Sequence, residues 1–201
     1  KRQPDVPGVE SPNEADTHVM LFAFVRLQHL SLAAAIFAVA GVPLRVWKLD
    51  LSKAYMYKRT GQQRQTLWRR TCQGLRGAQT LDVICFGQVD GPEVFSRQTT
   101  FMVFIMVLEL EYADACYPTQ SGAVAAFLRA RLQAARRLRV PAEHERVWLR
   151  LCWVMAMIDD FGGVSIDDLL FRIDGSRVYD ARGIQRTRSW LHFDVVQSVV
   201  S

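Results

Sequence analysis

Two acidic sites, about a hundred residues apart, constrain this chain most. The first is Asp50, in Trp47-Lys48-Leu49-Asp50-Leu51-Ser52-Lys53-Ala54-Tyr55. The second is Asp159-Asp160, which follows Val154, Met155, Met157 and Ile158 and precedes Phe161-Gly162-Gly163. Each sets carboxylate at the end of an apolar run with strand character. Adjacent carboxylates repel, and presenting them at the tip of a buried hairpin costs stability unless a cation offsets the charge. Three carboxylates brought together can hold two divalent cations, and two cations can run phosphoryl transfer.

The chain has 201 residues, enough for one domain or one and a half, and half of them are hydrophobic. A charged fraction of 22% argues against a disordered chain. The net charge is +5, and every cation except Lys1, Lys48, Lys53 and Lys58 is Arg. The planar guanidinium fork suits phosphate, so the bias fits a nucleic-acid partner, and it fits a GC-rich coding sequence equally well. Cys72, Cys85, Cys116 and Cys152 form no C-x-x-C pair, so the reading is reduced thiols in an intracellular protein of cytoplasm or nucleus. The chain starts at Lys1 and reads as part of something longer. Residues 18–44 are strongly apolar, but Arg26, Gln28, His29 and Ser31 interrupt them and Gly41-Val42-Pro43 ends them. A bilayer needs roughly 20 uninterrupted apolar residues, so this is a buried helix and no membrane is expected.

Residues 1–16 read as loop, and Asp16-Thr17 caps a helix reaching Ala40. Leu44 to Asp50 reads as a strand, and Ser52 to Tyr57 as the first turns of a short helix. Residues 51–81 contain no acid and carry Lys53, Lys58, Arg59, Arg64, Arg69, Arg70 and Arg76. That window either tracks a phosphate backbone or forms a solvated surface hairpin. Leu81 to Phe86 reads as a strand entering a Gly/Pro loop. Pro92 suits the first turn of a helix running to Tyr112, with Phe95, Thr99, Met102, Met106 and Leu110 as its buried stripe. Ser121 to Leu138 reads as a basic helix, and Val147 to Ile158 as an apolar run whose second half is a strand. A hairpin over Leu169 to Tyr179 turns at Asp174-Gly175, and a last helix spans Gly183 to Ser198. Asp167-Asp168, a rival acidic pair without a glycine turn, reads as a cap or a surface pair.

In order and spacing these features resemble the palm of a retroelement reverse transcriptase. In that family an Asp is followed five residues later by Tyr or Phe, as in Asp50 and Tyr55. A Gly is followed five residues later by Pro and then by an aromatic, as in Gly87, Pro92 and Phe95. The third motif is an aromatic, any residue, then Asp-Asp; here Met157 stands where the family usually has Tyr or Phe, before Ile158-Asp159-Asp160. The likeness covers roughly residues 13–165.

The resemblance implies an α+β fold: a polymerase palm, with an antiparallel sheet carrying an Asp-Asp hairpin and packed against helices. Residues 1–43 would be partial fingers and a connecting helix, and 44–201 the palm, with a basic helical insertion at about 113–146 and no thumb. It implies RNA-directed DNA polymerase activity in the intact parent. Asp50, Asp159 and Asp160 would be catalytic and would ligate two Mg²⁺ or Mn²⁺ ions. The Leu51 carbonyl, Tyr55, Gly87 and Pro92 would contact the nucleotide, Tyr55 excluding a 2′-hydroxyl. Arg64, Arg69, Arg70 and Arg76 would hold nucleic acid. Implied partners are an RNA or DNA template with its primer, deoxynucleoside triphosphates, and the remaining fingers, thumb and other polyprotein domains. Arg186, Arg188 or His192 would stand in for a lysine that the family often places after the catalytic hairpin. The alternatives are a degenerate remnant that binds nucleic acid without chemistry, an RNA-dependent RNA polymerase palm, which a bulky Tyr55 disfavours, and an ordinary α/β protein with surface acids.

Overall fold

The computed structural model describes residues 27–51, 66–72, 75–81, 91–157 and 160–201. The chain is α+β. Its elements are α1 (Leu27–Val39), β1 (Leu44–Asp50), β2 (Thr66–Cys72), β3 (Leu75–Leu81), α2 (Gly91–Cys116), α3 (Gly122–Arg137), α4 (Ala142–Trp148), β4 (Cys152–Met157), β5 (Asp160–Ile166) and α5 (Arg188–Val200). The main sheet is three-stranded and antiparallel in the order β1-β5-β4, and β2 and β3 pair as a separate antiparallel hairpin.

The sheet has helices on both faces because its strands alternate two apolar sets. Leu44, Met155, Val164 and Ile166 share one face and pack with Leu30 and Phe37 of α1 and Val124 and Phe127 of α3. Trp47, Leu49, Cys152, Val154, Ala156 and Phe161 share the other, against Met106 and Leu110 of α2 and Val196 of α5. The central strand β5 is the most deeply covered, with Phe161, Val164, Ser165 and Ile166 fully buried.

Local chemistry sets the ends. The last turn of α1 closes with the Val42 amide donating to the Phe37 carbonyl (3.1 Å) and the Gly41 amide to that of Ala38 (3.0 Å). This closure needs a left-handed residue, and Gly41 supplies it at φ +67°. The adjoining Val42 and Phe37 are both buried, so the stop is also a packing contact. Strand β1 then matches the expected Leu44 to Asp50. Pro92 falls in the first turn of α2, which runs on to Cys116, past the expected Tyr112. The stripe inside α2 is buried at Phe95, Thr99, Met106 and Leu110, with Met102 partly buried. Ser121 caps α3 through its hydroxyl, which accepts from the Val124 amide.

Three expectations need correction. The strand foreseen over 81–86 is instead β3, which ends at Leu81; residues 82–90 lie outside the described residues. Residues 169–179 form a turn at Asp174-Gly175 with only a single bridge, Phe171 to Arg177, because Gly175 at φ +82° tightens the chain before a ladder can grow. The last helix begins at Arg188 and not at Gly183. Gly183 is spent in a second tight turn at φ +78°, whose amides at Arg182 and Ile184 donate to the Asp180 carboxylate (2.9 Å each).

No helix among the described residues is long and apolar enough to cross a membrane.

Candidate functional site

The strand register brings two of the sequence-derived acids together. Asp50, the last residue of β1, is the register partner of Asp160, the first residue of β5. Directly paired strand residues hold their Cβ atoms about 4.5–5.5 Å apart, on the same face. Met157 pairs with Asp160 from the other side, so β4 turns into β5 through residues 158 and 159. Ile158 and Asp159 themselves lie outside the described residues, as do Tyr55, Arg64 and Gly87. Leu51 follows Asp50 directly and is half-buried.

Asp50 is exposed and Asp160 half-buried. They lie at one end of the face whose other end is sealed by α1 and α3. A third charge shares this end. Lys48, two residues before Asp50 and so on the same face, places its Nζ 2.9 Å from Oδ2 of Asp160. The register partner of Lys48 is Gly162, whose missing side chain leaves the lysine free to lean along the strand. Gly162 sits under Leu30 of α1, 3.5 Å from where a Cβ would stand.

The opposite face is built to stay shut. The Trp47 indole lies on Gly163, its register partner, with ring atoms 2.0–2.6 Å from where a Cβ would be. Only glycine fits there. The indole nitrogen donates to Ser165 Oγ at 3.0 Å, and Ser165 contacts the Cys152 sulfur at 3.1 Å. The ring meets Phe193 of α5 edge-on, with centroids 6.1 Å apart.

Past β5 the acids behave differently, and here the expectation of a surface pair fails. Asp168 is 5% exposed. Its Oδ1 accepts from Nε of the fully buried Arg188 at 2.7 Å, and its Oδ2 from the Thr119 hydroxyl at 2.7 Å. Arg188 also donates to Asp114 Oδ1 (2.5 Å) and to the Tyr117 carbonyl (2.8 Å), so each guanidinium nitrogen has a partner. His192, buried on the same helix, binds Asp114 through Nε2 at 2.9 Å. Burial works against a charged His192 ring, but the adjoining Cys152 sulfur and the Asp114 carboxylate outweigh it and push its pKa up to about 9. Burial pushes the Asp114 carboxyl up, and His192 and Arg188 overcome that and hold it below the usual carboxylate range. Arg188 and His192 are therefore structural cations tied to α2, and neither is placed to serve the Asp50 face. Arg186 is held by Asp194. Asp167 pairs with Arg45 (3.1 Å) and with the Ser189 hydroxyl.

The basic features divide similarly. Arg69 and Arg70 lie on β2 and Arg76 on β3, where Arg69 pairs with Ala78, Arg70 with Gly77 and Arg76 with Thr71. On α3, Arg129, Arg136 and Arg137 are exposed. Arg131 is half-buried, with its guanidinium 5.4 Å from the Phe127 ring, 6.0 Å from Trp148 and 5.9 Å from Trp153. That arginine stitches α3 to α4 and β4 and belongs to the packing.

Sequence reasoning missed the role of Lys48 and the buried Arg188 network. For Lys48 the signal was present: period-2 alternation puts it on the same strand face as Asp50. For Arg188 no local signal exists, since its partners lie far off in sequence.

No group of three or more His, Cys, Asp or Glu side chains able to hold a metal ion occurs among the described residues, and Asp159 is not one of those residues. Compared with known proteins, the chain matches no family model, no curated protein and no solved structure.

Proposed function

We propose that this chain carries the palm of a template-directed nucleotidyltransferase of reverse-transcriptase type, acting through two divalent cations. The observation that carries the reading is the register pair Asp50–Asp160 at the mouth of the β4–β5 turn. Two acids foreseen as partners from sequence motifs end side by side on adjacent antiparallel strands, although 110 positions separate them in the numbering.

The donor set fits the cations. Carboxylate oxygens are the preferred ligands of Mg²⁺. Asp160 already holds a positive group, the Lys48 ammonium, at 2.9 Å, so the position attracts cations. Asp50, Asp159 and Asp160 would hold the ions, with the Leu51 carbonyl as a further oxygen ligand. Bound there, the ions would supply activation of a primer 3′-hydroxyl and charge stabilisation at the phosphates. The chain's own part is to position and to select. The β1–β5 pairing fixes Asp50 against Asp160. Pro92, in the first turn of α2, would present backbone near the nucleotide, and Gly87 would allow close approach. Tyr55 would lie under the incoming sugar and exclude a 2′-hydroxyl. Arg64, Arg69, Arg70 and Arg76 would track the phosphate backbone of template and primer.

A second reading is a nucleic-acid-binding remnant without chemistry. The Lys48–Asp160 ion pair favours it, because a carboxylate neutralised internally has less need of a metal. Primer extension separates the two. Purified protein is given a labelled primer on an RNA template, deoxynucleoside triphosphates and Mg²⁺. Extension that Asp50→Asn and Asp159→Asn each reduce by at least ~100-fold, with melting unchanged, supports the polymerase. Extension indifferent to both substitutions refutes it, and template binding without any extension favours the remnant.

A further inference from the structure

We propose that Lys48 is a built-in counter-cation of the carboxylate site: its ammonium sits on Asp160 where a divalent cation would bind, and must leave for that cation to enter. The inference rests on the two-cation reading of Asp50, Asp159 and Asp160 and adds a residue to it.

Four observations carry it. The ammonium lies 2.9 Å from Asp160 Oδ2, within direct contact of an oxygen that a metal would use. Lys48 and Asp50 stand two residues apart on β1 and so face the same way. The cross-strand neighbour of Lys48 is Gly162, so no side chain separates the ammonium from Asp160. The lysine side chain is 67% exposed, against 31% for Asp160, so it can swing into water without disturbing the core.

The physics makes the exchange easy. Asp50 and Asp160 are like charges paired directly across a ladder, which is unfavourable. One ammonium relieves part of that repulsion. An exposed ion pair of this kind is weak, and a divalent cation offers twice the charge to the same oxygens. Lys48 thus keeps the acids together before the cation arrives and gives way when it does. Once displaced it remains within a side-chain length of the site, where its charge suits a phosphate oxygen.

The test is cation affinity, read without turnover. Mn²⁺ binding is measured by loss of the free-ion electron paramagnetic resonance signal, and Mg²⁺ by competition. Four variants are compared with the unmodified chain: Lys48→Met, Lys48→Gln, Asp160→Asn, and Arg136→Met as a control for net charge on remote α3. Thermal melts confirm that each is folded. Both Lys48 variants should bind Mn²⁺ roughly two- to fivefold more tightly, matching the loss of one surface ion pair. Arg136→Met should not change affinity, and Asp160→Asn should weaken it strongly. Unchanged or weaker Mn²⁺ binding in both Lys48 variants, with binding still lost in Asp160→Asn, overturns the inference and leaves the two-cation reading standing. Equal tightening by Arg136→Met also overturns it, because net charge alone would then explain the gain. If Asp160→Asn binds Mn²⁺ as well as the unmodified chain, the two-cation reading fails and the role of Lys48 fails with it.

Discussion

Two groups of charges sit on this small sheet and are treated in opposite ways. At the Asp50–Asp160 end, like charges face each other across a ladder, Asp50 is exposed, and the contact offered by Lys48 is largely solvated. Around Arg188, two acids and two cations are sealed between α2, β4 and α5, and every guanidinium nitrogen has a partner. The second group is organised for cohesion. The first gives up cohesion and keeps its acids available. Charge that is buried and fully partnered belongs to the fold, and charge set against its own kind at a strand end invites a ligand.

The comparison breaks most readily at Arg188. Replacing it with Met leaves the Asp168 and Asp114 carboxylates buried without their principal partner. Removing one member of a buried ion pair costs about 3–5 kcal/mol. Arg188→Met should therefore lower the urea midpoint sharply. A change within about 0.5 kcal/mol would show that the network is incidental to stability.

Acidity sharpens the same contrast. His192 has its pKa raised from the ordinary 6.5 to about 9 in the fold. A raised folded value means that the charged ring stabilises the native state. That contribution is complete below about pH 6.5 and is lost as pH climbs through about 9. Its size is on the order of 3 kcal/mol, from roughly 1.4 kcal/mol per unit. The groups facing the ring are Asp114 on α2, Cys152 on β4 and Arg188 on its own helix. Unfolding free energy measured between pH 6.5 and 9.5 should fall, and His192→Gln should flatten the slope. A slope unaltered by that substitution would assign the pH dependence to other groups.

How much of this was legible in the sequence follows from the range of each interaction. Strand β1 and the buried stripe of α2 could be read because they rest on local periodicity and on Gly41 and Pro92 as punctuation. The hairpin in the basic window was foreseen as one option, and the β2–β3 pairing supplies it. The meeting of Asp50 with Asp160 was an expectation from motif order alone, since no local pattern sets the register between distant strands. Asp168 was misread because a burying partner twenty residues away leaves no mark on its neighbours. Gly183 was misread because a glycine ahead of an apolar run serves equally as a turn or as the lead-in to a helix, and the Asp180 carboxylate settles it as a turn.

The smallest effect is the most diagnostic. Asp50→Asn removes one of two like charges paired directly across β1 and β5. Like charges opposite one another destabilise a ladder by roughly 0.2–1 kcal/mol, so the substitution should raise the melting point slightly. The gain is electrostatic between exposed groups, so it should shrink as salt shortens the screening length from about 10 Å at 0.1 M to about 3 Å at 1 M. Mg²⁺ adds a second axis. If the acids hold a cation, millimolar Mg²⁺ stabilises the unmodified chain by binding the native state, and the variant by much less. The order of melting points should therefore invert: Asp50→Asn above the unmodified chain without Mg²⁺, and below it with Mg²⁺. A structural Asp50 gives the opposite pattern, with Asn lowering the melting point in both conditions. An inversion places the Asp50–Asp160 end among sites where stability is sacrificed for a ligand, and its absence places that end with the Arg188 cluster, as ordinary structure.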